Sequence, residues 1–313
     1  MLPPDLMART RVDLGLMLEG QEGLTWRRWR RLCALAEELR FESIWRSDHN
    51  YSVFGVTDRD CIETWESLAL CAEWTEHVEF GALVSPITFR EPGMLARMAA
   101  TVDDLAGGRL VLGLGAGWYE AEHRDFGIPY PGVGRRMDLL EHGITRIREV
   151  WNLSHPRPPR GSIPILIGGS GERRLLAIVA READEWNYGP RTPEQYAAKA
   201  TVLEQHCRSI DRDPSTIRRS VMFGYLIGKN RAEVLERAEA LKSIVPDYGG
   251  MEPAQIIEAA SPRTLIGTPD EIAERMRPYV ELGVTRFMIQ HFLMDDDEAL
   301  RLLIGEVGAR LNA

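Results

Sequence analysis

Residues 43–51 read SIWRSDHNY, an apolar run that ends in adjacent acidic and imidazole side chains, Asp48 and His49. An imidazole has an unperturbed pKa near 6.5, so it can accept or release a proton at neutral pH, and a neighbouring carboxylate can orient or tune it. A polar turn or a helix cap would also explain such a pair. The chemical reading is favoured if the run is a strand of a parallel barrel, because the active groups of such enzymes project from strand C-termini.

Two glycine-rich stretches also follow apolar runs. GLGAGW (113–118) has the spacing GxGxG and is followed by FGIPYPGVG rather than by a helix. A dinucleotide fingerprint requires GxGxxG between strand and helix, so that reading is rejected. The glycines are expected to let a flat ring or a sugar-phosphate chain approach the backbone. PILIGGSGERR (164–174) places Gly168, Gly169, Ser170 and Gly171 between a strand and a helix expected over 172–181. Free N–H groups at a helix start suit a phosphate, though a plain turn with a serine cap fits the same residues.

A metal site is not expected. The seven histidines are dispersed, and no HExxH, paired CxxC or EF-hand spacing occurs. Asp295, Asp296, Asp297 and Glu298 precede a helix and read as its acidic cap. Arg27, Arg28, Arg30 and Arg31 read as the solvated face of the first helix.

The elements that must position these residues alternate from end to end. Strands are expected at 12–18, 43–46, 78–84, 110–114, 164–167, 185–188, 217–227 and 286–290, each followed by a helical pattern. Trp26, Trp29, Leu32, Cys33, Ala36 and Leu39 form the apolar stripe of the first helix. Thr192-Pro-Glu-Gln and Thr268-Pro-Asp-Glu are capping-box starts, and Pro92 opens another helix. Apolar strands joined by crossover helices imply a parallel α/β sheet, and eight such units close into a (β/α)8 TIM barrel, taken as one domain over 1–313. A doubly wound open sheet is the competing architecture. Residues 50–62 and 243–266 interrupt the rhythm as long loops at the strand C-terminal face, and together with 119–134 they are expected to set the substrate.

A net charge of −9 argues against nucleic-acid and anionic-membrane partners. No apolar run reaches the roughly 20 residues of a membrane span, and MLPPDLMARTR lacks the apolar stretch of a signal peptide. A cytoplasmic protein is expected, with Cys33, Cys61, Cys71 and Cys207 as reduced thiols.

Over nearly its whole length the chain resembles the bacterial-luciferase-like flavin and deazaflavin oxidoreductases. The resemblance is carried by FESIWRSDH (41–49), FGALVSPITFREPGMLARMAATVDDLAGGRLVLGLGAGWYEAEHRDFGIPY (80–130), PILIGGSG (164–171), ADEWN (183–187) and GTPDEIAERMRPYVELGVTRF (267–287). Within the superfamily it looks most like the coenzyme F420-dependent branch. The resemblance implies a barrel with the cofactor ring at the strand C-termini and Asp48 and His49 beside it. It also implies a non-prolyl cis peptide around Leu83 and Val84 behind the ring, with Ala116, Gly117 and Trp118 meeting the cofactor and Gly168 to Gly171 on its phosphate side. In one respect the chain departs from the family. F420-dependent sugar-phosphate dehydrogenases carry a glutamate directly after the fourth-strand glycines, where this chain has Trp118; Glu120 and Glu122 lie out of that register.

The expected function is therefore hydride transfer between F420 and a small organic molecule, with His49 moving the substrate proton and Asp48 binding cofactor or tuning His49. An FMN-dependent monooxygenase supplied by a separate flavin reductase is the alternative, and a non-catalytic flavin-binding protein a third. The resemblance also implies a homodimer, for which Trp65, Leu68, Leu70, Trp74, Met94, Leu95 and Met98 are candidate contacts.

Overall fold

Short runs rich in Leu, Ile, Val and Trp, each ended by Gly or a polar turn, become parallel strands buried on both faces. The computed structural model describes residues 11–190 and 192–313; most of the N-terminal stretch read for a leader lies outside them. The strands are β1 (Asp13–Leu18), β2 (Ser43–Arg46), β3 (Glu79–Ala82), β4 (Ser85–Pro86), β5 (Leu112–Gly115), β6 (Ile165–Gly168), β7 (Glu185–Tyr188), β8 (Arg218–Ile227), β9 (Thr264–Gly267) and β10 (Arg286–Gln290). They pair in the order β3-β2-β1-β10-β8-β7-β6-β5-β4, with β9 attached to the outer half of β8.

The ring is closed by a parallel bridge between Phe80 and Leu110, just ahead of β5, and Val111 donates its N–H to the Phe80 carbonyl at 2.9 Å. β3 and β4 are the two halves of one strand interrupted at Leu83 and Val84. With β9 left out, eight positions surround the axis, and the expected (β/α)8 barrel is the observed fold.

The helices are α1 (Trp26–Leu39), α2 (Thr64–Trp74), α3 (Pro92–Leu105), α4 (Glu120–Asp125), α5 (Val133–Leu153), α6 (Leu175–Glu182), α7 (Pro193–Arg208), α8 (Arg231–Ala240), α9 (Pro253–Ala260), α10 (Pro269–Glu281), α11 (Asp297–Leu302) and α12 (Ala309–Asn312). Their starts follow the local signals. Thr25 and Thr192 cap with their side chains, and Thr268 and Glu271 form a full capping box. Asp296 caps α11 by accepting from Ala299 N–H, as its acidic context predicts.

Four expectations are corrected. Residues 243–266 are not a plain loop: they contain α9 and all but the last residue of β9, because Pro253 opens a capped helix whose Ile256 is buried with Leu226, Val234 and Ile266. α6 begins at Leu175 rather than 172, since Glu172 to Arg174 form a turn first. Arg28 and Arg31 are not simply solvated; they bind Asp295 and Asp297, tying α1 to the segment that opens α11. The stripe of α1 also loses its first member, since Trp26 is 42% exposed.

The barrel axis is filled by Met17, Trp45, Val111, Leu166 and Met288, topped by the half-buried Leu83, Val84 and Met222. At the strand N-termini Arg286 is buried between Glu185 (3.1 Å) and Glu79 and lies over the Trp45 ring. That ion cluster forms the floor of the barrel axis. Of the residues expected at a dimer contact, Trp65, Leu68 and Leu95 are buried in the shell between strands and helices, while Met94 is 62% exposed. The four cysteines are free thiols.

Candidate active site

Asp48 and His49 follow β2 at the strand C-terminal face, yet the fold gives them separate partners. The Asp48 carboxylate, 3% exposed, accepts from Ser85 Oγ at 2.6 Å and from both Arg90 nitrogens, Nη1 at 2.7 Å and Nη2 at 3.2 Å. Arg90 also binds Glu63, the N-cap of α2, at 2.6 Å. Burial opposes the Arg90 charge, but Asp48 and Glu63 outweigh it and hold the guanidinium protonated. Both Asp48 oxygens are therefore engaged in fastening β2 to the segment after β4.

His49 turns to Glu122 instead. Its Nδ1 lies 2.7 Å from Glu122 Oε2, and the other carboxylate oxygen accepts the Asn50 N–H. Glu122 is fully buried in α4, while Glu120 on the same helix is exposed. Burial of the imidazole favours its neutral form, but the hydrogen bond and charge of Glu122 more than offset this and raise the His49 pKa above 6.5. A carboxylate on Nδ1 fixes the tautomer with hydrogen there, leaving Nε2 as the nitrogen that takes or gives a proton. The sequence reading set Glu122 aside as out of register with the family's glutamate. The available signal was helical: a carboxylate on the inward face of a short helix directly after a glycine-rich strand end.

The GLGAGW glycines answer to the protein before any ligand. A Cβ on Gly113 would lie 1.9 Å from the Ala82 carbonyl oxygen, and one on Gly115 would lie 2.6 Å from a Val84 methyl. These two let β5 accept the interrupted β3–β4 strand, where the Leu83-Val84 peptide is cis. Gly117 has φ +78°, a conformation that favours glycine. Leu83, Val84, Ala116 and Gly117 remain partly open to solvent at the barrel mouth. Such an apolar shelf fits a flat tricyclic ring.

At the end of β6, Gly169 has φ +126° and its N–H is already taken by the Asn187 carbonyl. A Cβ there would lie 2.5 Å from Leu175. Gly168 and Ser170 are half-exposed and Gly171 is exposed, beside the exposed Arg173. This turn fits a phosphate through Ser170 and its neighbours rather than through Gly169.

The other two buried histidines, His123 and His291, are hydrogen-bonded within the protein. His123 lies between the Tyr119 carbonyl (2.9 Å) and Thr88 Oγ1 (2.7 Å). His291 is bonded through Nδ1 to Tyr225 Oη at 2.8 Å, and burial pushes its pKa down to about 4. No group of three potential metal-ligating side chains occurs among the described residues.

Residues 6–286 match the luciferase-like monooxygenase family, and the chain belongs to that family. An uncharacterised protein of Mycobacterium tuberculosis (strain ATCC 25618 / H37Rv) is 29% identical over 146 residues, covering 42% of this chain and 51% of that protein. Pyrimidine monooxygenase RutA of Escherichia coli (strain K12) is 28% identical over 173 residues, covering 49% of this chain and 44% of RutA. The chain thus spans about half the length of the curated relatives it matches. An F420-dependent secondary alcohol dehydrogenase in complex with an F420-acetone adduct superposes with a TM-score of 0.78 at 17% identity, covering 96% of this chain and 99% of that one. The FMN complex of the oxygenating constituent of 3,6-diketocamphane monooxygenase from Pseudomonas putida gives 0.74 at 16% identity, covering 96% and 98%. These two likenesses establish the shared barrel. They span both ring chemistries.

Proposed function

We propose that this protein is an F420-dependent oxidoreductase in which His49 moves the proton of a substrate oxygen or nitrogen. One observation carries the reading: a buried glutamate holds His49 Nδ1 and leaves Nε2 as the exchangeable position. In the oxidising direction His49 accepts the proton of a hydroxyl while the C–H electron pair departs as hydride; in the reducing direction it gives that proton to a carbonyl oxygen. When bound, F420 supplies the two-electron hydride acceptor or donor. Leu83, Val84, Ala116 and Gly117 would hold its ring, and Gly168, Ser170 and Gly171 its phosphate. Asp48 acts through Arg90 and Ser85, by fixing the segment that carries His49.

Titration of the purified apoprotein with F420 and with FMN tests the cofactor. Saturable F420 binding, and turnover that consumes no O2, is the expected result. FMN binding without F420 binding, with O2 consumed in the presence of a flavin reductase, would replace this reading with the monooxygenase one.

The assembly we propose is a homodimer through the exposed Met94 and the half-buried Leu70, Trp74 and Met98 on α2 and α3. A monomeric mass by light scattering at micromolar concentration would remove it.

A further inference from the structure

Four aromatic rings stand together beside His49, and two of them face water. Trp118 is 64% and Phe126 55% exposed. The His49 ring meets Trp118 edge-on at 5.6 Å and Tyr119 at 6.1 Å between centroids. Trp118 leans on Tyr119 at 5.1 Å, Tyr119 meets Tyr51 at 6.0 Å, and Tyr51 stacks on Phe126 at 6.2 Å. From these contacts we infer that the substrate is a flat, uncharged aromatic or conjugated molecule carrying a carbonyl or hydroxyl group. It would stack on this wall with its oxygen at His49 Nε2. The inference rests on the reading of His49 as the proton-transferring group.

The wall is held in place before any ligand arrives. Tyr51 Oη donates to Asp125 at 2.9 Å, Tyr130 Oη donates to the Trp118 carbonyl at 2.9 Å, and His123 Nδ1 binds the Tyr119 carbonyl. Rings fixed in this way lose little freedom when a ligand stacks on them, which raises affinity for a matching flat partner. Large aromatic faces left in water gain most from an apolar partner.

Charge narrows the class further. Glu120, Glu122 and Asp125 lie on the same short helix, and its one arginine, Arg124, is taken by Asp125 at 2.8 Å. Arg90 is taken by Asp48 and Glu63. A phosphate or carboxylate on the substrate would meet the exposed Glu120 and Asp125 beside the wall, where Arg90 and Arg124 are already paired with carboxylates.

Calorimetric titration of the full chain with acetophenone and with its saturated analogue cyclohexyl methyl ketone tests this without turnover. The expected result is at least fivefold tighter binding of acetophenone. That preference should vanish in Trp118→Ala and return in Trp118→Phe, with thermal stability unchanged because Trp118 is exposed. Equal or better binding of the saturated ketone, no binding of acetophenone, or a preference untouched by Trp118→Ala overturns the inference. So does a Trp118→Ala protein that loses F420 affinity while keeping the aryl preference, because the wall would then belong to the cofactor. If F420 fails to bind but the Trp118-dependent preference holds, the aryl substrate stands and only the cofactor assignment falls.

Discussion

His49 and Glu122 are 73 positions apart in the chain, yet their side chains meet at 2.7 Å in a site where the carboxylate has no access to water. The pairing sets the protonation behaviour of the imidazole. The folded-state pKa lies above the ordinary value, so the interaction stabilises the folded protein fully below pH 6.5 and is lost as pH rises through the raised pKa. Glu122→Gln removes the charge and keeps the shape. It should move the His49 titration to lower pH, read from the imidazole proton resonances, and shift the acid limb of the turnover profile the same way. An unmoved titration would leave Glu122 as packing only.

His49→Ala should keep cofactor affinity and lose roughly 10²–10⁴-fold in kcat, the usual cost of removing a positioned acid or base. The chain-adjacent Asp48 should behave differently. Asp48→Ala leaves the Arg90 side chain, 17% exposed, with Glu63 as its remaining carboxylate and takes the acceptor from the buried Ser85 hydroxyl. Breaking a buried pair by removing one partner costs about 3–5 kcal/mol, and partial exposure lowers this to roughly 2–4. Urea denaturation should show that loss. A stable Asp48→Ala protein with weakened cofactor binding would restore the direct cofactor role that the sequence implied.

The contrast shows what was legible in the sequence. Strand ends could be found because an apolar run followed by Asp-His or by Gly-Gly-Ser-Gly is a local pattern, and eight such runs are enough for the barrel. The partner of each side chain was not local. Glu122 reaches His49 only because α4 folds back over β2, and Arg90 reaches Asp48 only because β4 restarts after the interruption at Leu83 and Val84. Gly113 and Gly115 misled for the same reason: their missing Cβ atoms make room for Ala82 and Val84, some thirty residues earlier in the chain.

The phosphate-side turn gives a prediction that separates two adjacent positions. Gly169 is held at φ +126° against Leu175, so any side chain there disturbs the turn itself. Ser170→Asp adds a carboxylate at a half-exposed site without that backbone conflict. It should weaken F420 binding at least tenfold, about 1.4 kcal/mol. Unchanged affinity in the Ser170→Asp protein would take this turn out of the cofactor site.

His291 carries the opposite pH dependence to His49. It is 2% exposed, its Nε2 has no hydrogen-bond partner among the described residues, and its pKa is held at about 4 in the folded state. The unfolded chain binds a proton near pH 6.5 that the folded chain refuses, so stability falls as pH drops from 6.5 towards 4. At pH 5 the difference amounts to about 2 kcal/mol by linkage. His291→Gln keeps a polar group for Tyr225 Oη and does not titrate. Urea denaturation at pH 7.5 and at pH 5 should show that this variant loses less stability on acidification than the parent, by about that amount. An equal loss in both proteins would mean that His291 takes up its proton without unfolding, and that some other buried group governs the acid limb.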